Sequence, residues 1–204
     1  MQKAAILTLF ITLFSTLAAS ETEQSDLSRL QKETESQKKE HPYNLPNHDF
    51  RSTNFDLQQE LVFQGSNFQG GNFSGTPEKP KIIQHIDFSN CDLSQANFSD
   101  CIITKCQFTN ANLHKALFVR TKIKYAGFNG ANLVDANFSD SDQESVSYDA
   151  ADIRNSIWEN ANIFRVSFTR TDERGIKTKG LKESHCSHEG AKTTGFFERL
   201  FGKS

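Results

Sequence analysis

The sequence predicts an all-β repeat solenoid that turns a corner every five residues. Two observations predict it. From Phe63 to Phe168 every fifth residue is large and apolar at 20 of 22 positions, with only Glu78 and Gln143 out of pattern. A helix has period 3.6 and a flat strand period 2, so neither carries this spacing. Sorted by steps of twenty, the same residues fall into four columns of like type. One reads Phe68, Phe88, Phe108, Phe128, Tyr148, Phe168, and the next Phe73, Leu93, Leu113, Leu133, Ile153. The third reads Phe98, Phe118, Phe138, Trp158, and the fourth Phe63, Ile83, Ile103, Ile123, Gln143, Ile163. Laps stacked about 4.8 Å apart would set ring upon ring and aliphatic upon aliphatic. The members of these columns from Phe88 to Phe168, Gln143 apart, are the predicted core.

The elements follow in chain order. Residues 1–20 read as a secretory signal: Lys3, an apolar run from Ala4 to Leu17, and small Ala18 and Ser20 before a cleavage point. That implies a periplasmic or secreted protein. Residues 21–47 are mostly polar and read as a disordered or weakly helical linker. The repeat is placed at 48–171, with Phe50 and Phe55 in a first partial coil and a three-residue slip within Asp56 to Glu60. Thr76-Pro77-Glu78-Lys79-Pro80 reads as one side of a coil looped outward, because two prolines remove ladder donors. Gln143 sits in an aliphatic column, either hydrogen-bonded inside or carried out on a bulge at Ser141 to Ser145, and the bulge is preferred. After Phe168 the centres turn polar at Glu173, Thr178, Glu183 and His188. Residues 172–204 are therefore read as a distorted last coil followed by a short C-terminal helix. There Phe196, Phe197, Leu200 and Phe201 form an apolar cluster suited to capping or self-association.

The residue two before each centre is usually small, as at Cys91, Ala96, Cys101, Cys106 and Ala111, and the residue between is often Asn or Asp. Ala96-Asn97-Phe98-Ser99-Asp100, Ala131-Asn132-Leu133-Val134-Asp135 and Ala136-Asn137-Phe138-Ser139-Asp140 resemble the pentapeptide repeat, A(D/N)LXX. The resemblance covers roughly residues 48 to 171. It implies a right-handed quadrilateral β-helix with four pentapeptides, about 20 residues, per coil. Charge supports that register. Asp100 with Arg120, Lys115 with Asp135, Arg120 with Asp140, Lys122 with Asp142 and Lys124 with Glu144 are opposite charges twenty apart, and Asp152 with Asp172 is a like pair.

Few chemical motifs stand out. Cys91, Cys101, Cys106 and Cys186 fall at the small inward position and read as packed free thiols. Cys101 and Cys106 are the only pair close enough to consider as a disulfide. His185-Cys186-Ser187-His188 lacks the ligands of a complete metal site. The Lys115, Arg120, Lys122, Lys124 group is matched by acids and reads as a self-neutralised face. The Asn-Phe-Ser triplets at 72, 97 and 137 arise from the repeat itself. No phosphate loop, nucleophile elbow or acid pair is visible. The expectation is a non-enzymatic exported scaffold without cofactor, metal or small-molecule substrate, not directed at nucleic acid or membrane. It would meet an unidentified protein partner or a second copy. Surfaces around Tyr125 and Lys105, the loop at 74 to 82, or the terminal Phe cluster would carry the contact. The resemblance also raises a DNA-mimicking gyrase binder. Between 86 and 170, however, ten acids face eight bases, a weak imitation of a phosphate backbone.

Overall fold

The computed structural model describes residues 43–53, 55 and 61–193. The chain divides into two units, Met1–Pro42 and Tyr43–Ser204, and every described residue lies in the second. The expected signal, most of the linker and the terminal Phe196, Phe197, Leu200 and Phe201 lie outside the described residues.

The described chain winds as a parallel, four-sided β-helix. One side is a six-stranded sheet. Its order is β2 (Lys81–Gln84), β4 (Cys101–Thr104), β5 (Lys122–Lys124), β6 (Asp142–Glu144), β7 (Asn162–Phe164) and β8 (Lys182–Ser184). The next side opens with a two-stranded pair, β1 (Leu61–Val62) against β3 (Ile86–Asp87). The remaining pairing is by isolated bridges, one per coil on each side, such as Asn112↔Asn132, Leu117↔Asn137 and Gln107↔Gly127. From Lys81 onward every pair is twenty residues apart, for example Ile103↔Ile123 and Gln143↔Ile163.

Local chemistry explains the pentapeptide. On three of the four sides the centre closes a turn: Ala111 N donates to Phe108 O at 3.0 Å, and Ala136 N to Leu133 O at 3.0 Å. The Asn or Asp before a centre accepts from the backbone two residues on. Ser99 N donates to Asn97 Oδ1 at 3.0 Å, and Ser139 N to Asn137 Oδ1 at 2.9 Å. Such Asx turns account for the preference at that position. The last residue of each side turns the corner in the left-handed region, with φ near 55–60° at Asn90, Lys105, Asn110, Tyr125 and Asp140. Asn and Asp tolerate this conformation best after Gly. At Gly130 the requirement is double. Its φ is 67°, and a Cβ there would meet Asn110 Oδ1 of the coil below at 2.4 Å.

The core is two aromatic walls facing across the coil, with two mainly aliphatic walls between. Along one wall Phe88, Phe108, Phe128, Tyr148 and Phe168 stack at 4.6–5.3 Å with planes within 14° of parallel. Along the opposite wall Phe98, Phe118, Phe138 and Trp158 stack at 4.4–5.1 Å. The two walls meet edge to face, as in Phe118–Phe128 at 5.8 Å and 86°. Each such pair adds about 0.5–1.5 kcal/mol beyond burial. All sixteen predicted core residues are at most 3% exposed.

Three expectations are corrected. First, residues 76–80 are an insertion at a corner, not one side of a coil. Gly75 N donates to Ser99 O and Lys81 N to Asp100 O, so the loop's two ends meet adjacent residues of the next coil. The columns before the loop therefore shift by one side. Phe63 stacks on Phe88, Phe73 on Phe98 at 4.7 Å, and Phe55 bridges to Ile83. Phe68 N bonds to Asp92 O, placing Phe68 next to Leu93 rather than Phe88. Below the loop, Asn44↔Asn67 and Asp49↔Asn72 are 23 apart, which matches the expected three-residue slip.

Second, Gln143 stays inside, 3% exposed within β6. Its Nε2 donates to Ser141 Oγ at 3.1 Å, and Tyr148 Oη donates to its Oε1 at 2.8 Å. The only Tyr in the aromatic columns thus meets the only amide in the aliphatic ones. Third, pairing runs beyond 48–171, from Asn44 to Lys192. The last coil keeps register through Asn162↔Lys182, Ser167↔Ser187 and Asp172↔Lys192 instead of distorting.

Two outcomes follow. Deleting residues 76–80 should preserve the circular dichroism and keep the melting temperature within about 4 °C, because Gly75 already lies against Lys81; loss of cooperative melting would place the loop in the wall. Gln143→Leu should cost about 1–3 kcal/mol by stranding the buried Tyr148 hydroxyl, and adding Tyr148→Phe should recover most of it. Additive costs in chemical denaturation would contradict the pairing.

Candidate functional site

The titratable groups that the wall chemistry leaves over collect in the final coil. Glu173, Thr178, Glu183 and His188 take the four centre positions there. His188 continues an aromatic wall, stacked on Phe168 at 4.8 Å and 10°. Glu173 and Glu183 continue the two aliphatic walls beside it. The imidazole edge therefore faces a carboxylate on each side. Nδ1 lies 2.7 Å from Glu173 Oε1 and Nε2 2.5 Å from Glu183 Oε1. The Glu173 side chain is fully buried, that of Glu183 is 10% exposed and that of His188 is 22% exposed. The second oxygen of each carboxylate is buried without a hydrogen-bond partner. A cavity of about 10 Å³ lies beside the stacked rings, lined by residues of this layer and by Ile153, Trp158, Ile163 and Phe168 of the coil below, room for about one water.

Burial opposes the imidazolium, but hydrogen bonds and charge from Glu173 and Glu183 outweigh it and push the pKa up to about 9. His188 is thus charged at neutral pH. An unfolded His titrates near 6.5. The stability that the proton contributes is complete below about pH 6.5 and is lost as pH rises through about 9. The cluster can lock the terminal coil through a proton. Its two nitrogens point to opposite walls, so its donors do not converge; among the described residues no three His, Cys, Asp or Glu could hold a metal.

The other sequence-singled residues are dispersed. All four cysteines are free thiols. Cys91, Cys101 and Cys106 have pKa values pushed up to about 12 by burial, and Cys91 Sγ donates to Phe63 O at 2.9 Å. Of the basic group, Arg120 grips Asp100 through two bonds of 2.8 and 2.7 Å, and Lys124 reaches Glu144 at 2.7 Å. Lys122 stands opposite Asp142 in register. The like pair Asp152 and Asp172 is relieved by arginines. Arg154 bonds Asp152 at 2.7 Å and approaches Asp172 at 3.9 Å, and Arg174 bonds Asp172 at 2.6 Å. Tyr125 and Lys105 are exposed on one corner of the coil.

Sequence reasoning missed two features. The polar centres Glu173, Glu183 and His188 looked like the end of the core, although their unbroken five-residue phase marked them as inward. Lys81 was also missed. Its ammonium donates to Phe50 O, Arg51 O and Thr53 O and lies 5.2 Å from the Phe55 ring centre, tying the first coil to the second.

His188→Phe keeps the ring stack but leaves two buried carboxylates unpaired, and should cost about 3 kcal/mol near pH 7. The difference from wild type should shrink as pH passes 9. A loss that does not change with pH in denaturant titrations would remove the proton from this account.

Residues 81–158 match a family described as a pentapeptide repeat region. No curated protein matches the chain significantly. Among solved structures the chain is similar to HetL, a pentapeptide repeat protein involved in heterocyst differentiation regulation in the cyanobacterium Nostoc sp. strain PCC 7120. Identity is 13%, covering 80% of this chain and 92% of that one, with a TM-score of 0.31. QnrB1, a plasmid-mediated fluoroquinolone resistance protein, is 14% identical over 78% of this chain and 95% of its own, with a TM-score of 0.36. A pentapeptide repeat protein of the Arabidopsis thaliana thylakoid lumen is 24% identical over 55% of this chain and 67% of its own, with a TM-score of 0.25.

Proposed function

Because the chain carries a pentapeptide-repeat β-helix, we propose that it is an exported, non-catalytic scaffold whose outer walls meet a protein partner or a second copy of itself. The observation that carries this reading is the filled interior. Rings stack at 4.4–5.3 Å along both aromatic walls from Phe88 to Phe168, and the inward small residues close the corners. Close packing of this kind has no room for a substrate. Recognition then falls to the outward residues, which repeat at strand spacing along flat walls, as in other solenoids.

The outward charges favour this over a gyrase-directed DNA mimic. Acids and bases are interleaved and bonded to each other, as in Asp100–Arg120, Lys124–Glu144 and Asp152–Arg154. A phosphate backbone presents one sign at short, regular intervals. Export is supported by the charge and hydropathy order of residues 1–20.

Cell fractionation with N-terminal sequencing of the mature protein tests the reading. Material in the envelope or medium that begins at Glu21, and cross-links there to a protein, is the expected result. Full-length cytosolic protein that inhibits gyrase would overturn it.

A further inference from the structure

One corner of the coil differs from the other three. Its residues, in order along the axis, are His85, Lys105, Tyr125, Ser145, Arg165 and His185. Successive backbone bonds place them in one row: His85 N to Thr104 O, Lys105 N to Lys124 O, Tyr125 N to Glu144 O, Ser145 N to Phe164 O and Arg165 N to Ser184 O. The row holds two permanent cations and no acid. Lys105, Tyr125, Arg165 and His185 are exposed, and Tyr125, at 53%, is the most exposed large hydrophobic residue among the described ones. The corner that carries Asp100, Arg120 and Asp140 alternates in sign, the corner that carries Lys115 and Asp135 sets one base beside one acid in register, and the corner that runs from Asn90 to Gly190 holds a single cation, Arg170. Beside the cation row, Glu144 is already held by Lys124 at 2.7 Å. Arg165 lies 4.7 Å over the Phe164 ring, and Phe164 packs against His185 at 5.2 Å. The row thus joins unneutralised positive charge to exposed aromatic surface.

We propose that this row is the contact surface for an extended acidic segment of a protein partner; this rests on the scaffold reading above. Charge complementarity selects the sign. Charge density selects the class. Lys105 and Arg165 are three coils apart, about 14 Å, too sparse to match phosphates that follow every few ångströms. Tyr and Arg, in contrast, are the residues that anchor protein interfaces. An extended peptide advances about 3.3 Å per residue, so 14 Å spans about four residues. The fitting segment carries two acids about four residues apart with an apolar residue between them, the acids on Lys105 and Arg165 and the apolar side chain on the Tyr125 ring.

The test uses the full-length chain and a fluorescent peptide in which two glutamates four residues apart bracket a leucine. A peptide with lysines in place of the glutamates and a short duplex DNA are comparators, read by polarisation at low salt. The acidic peptide should bind about tenfold more tightly than the lysine peptide. Lys105→Asn with Arg165→Asn should weaken it about tenfold, and Tyr125→Asn about fivefold. Asn tolerates the left-handed corner, so melting should not change. Lys177→Asn with Lys179→Asn, on another wall, should leave binding as it was. Equal binding of both peptides, preference for duplex DNA, or indifference to the three corner substitutions would each overturn the proposal. A protein cross-linked in cells to a different wall would refute this surface and leave the scaffold reading standing.

Discussion

Parallel stacking at one coil per twenty residues governs everything else in this molecule. From Ile83 onward each inward side chain lies against the one twenty after it, inside a cross-section only four side chains wide. A residue is therefore chosen by its neighbours along the axis as much as by its own hydrophobicity. Phe128 is flanked by Phe108 at 4.6 Å and Tyr148 at 4.9 Å, both nearly parallel. Phe118 and Phe138 of the opposite wall meet it at near right angles. The small residues at the corners, such as Ala111, Ala116, Ala131 and Ala136, are small because the rings leave nothing else room.

This constraint explains how polar groups survive inside. Gln143 is held because Tyr148 and Ser141 satisfy it, and the Trp158 indole donates to Ser156 Oγ at 2.7 Å. Thr121 Oγ1 donates to Phe98 O at 2.9 Å in the coil below. In the final coil the same plan is written in ionisable residues, with a ring in the ring column and a carboxylate in each aliphatic one. The last described coil is therefore a charged layer over an apolar floor, and the His188 proton joins its two carboxylates.

The period of five was legible because it is neither helical nor strand-like, and the coil length because like residues recur at twenty. The registry below Lys81 was not legible. An insertion of five residues leaves a five-residue phase untouched, so Phe68 seemed to belong with Phe88 while it packs beside Leu93. Ring stacks, bridges and hydrogen-bond partners reveal that shift. Gln143 was misjudged because a lone amide in an aliphatic column looks costly until its partner, one side further on, is recognised. Glu173, Glu183 and His188 look individually like surface residues, although their five-residue phase already placed them inward; only the structure shows that they satisfy one another there. The cation row at the Lys105–Arg165 corner was half visible, since Tyr125 and Lys105 were singled out. The contribution of Arg165 and the absence of acids require the corner register.

Axial stacking can be measured directly by electron–electron distance spectroscopy between spin labels at Asn90→Cys and Arg170→Cys in a Cys186→Ala background. The two corner sites are four coils apart, which corresponds to about 19 Å of axis. A narrow distribution near that separation, widened only by the label arms, is the predicted result. A broad distribution, or one centred beyond about 35 Å, would mean that residues twenty apart do not lie over one another.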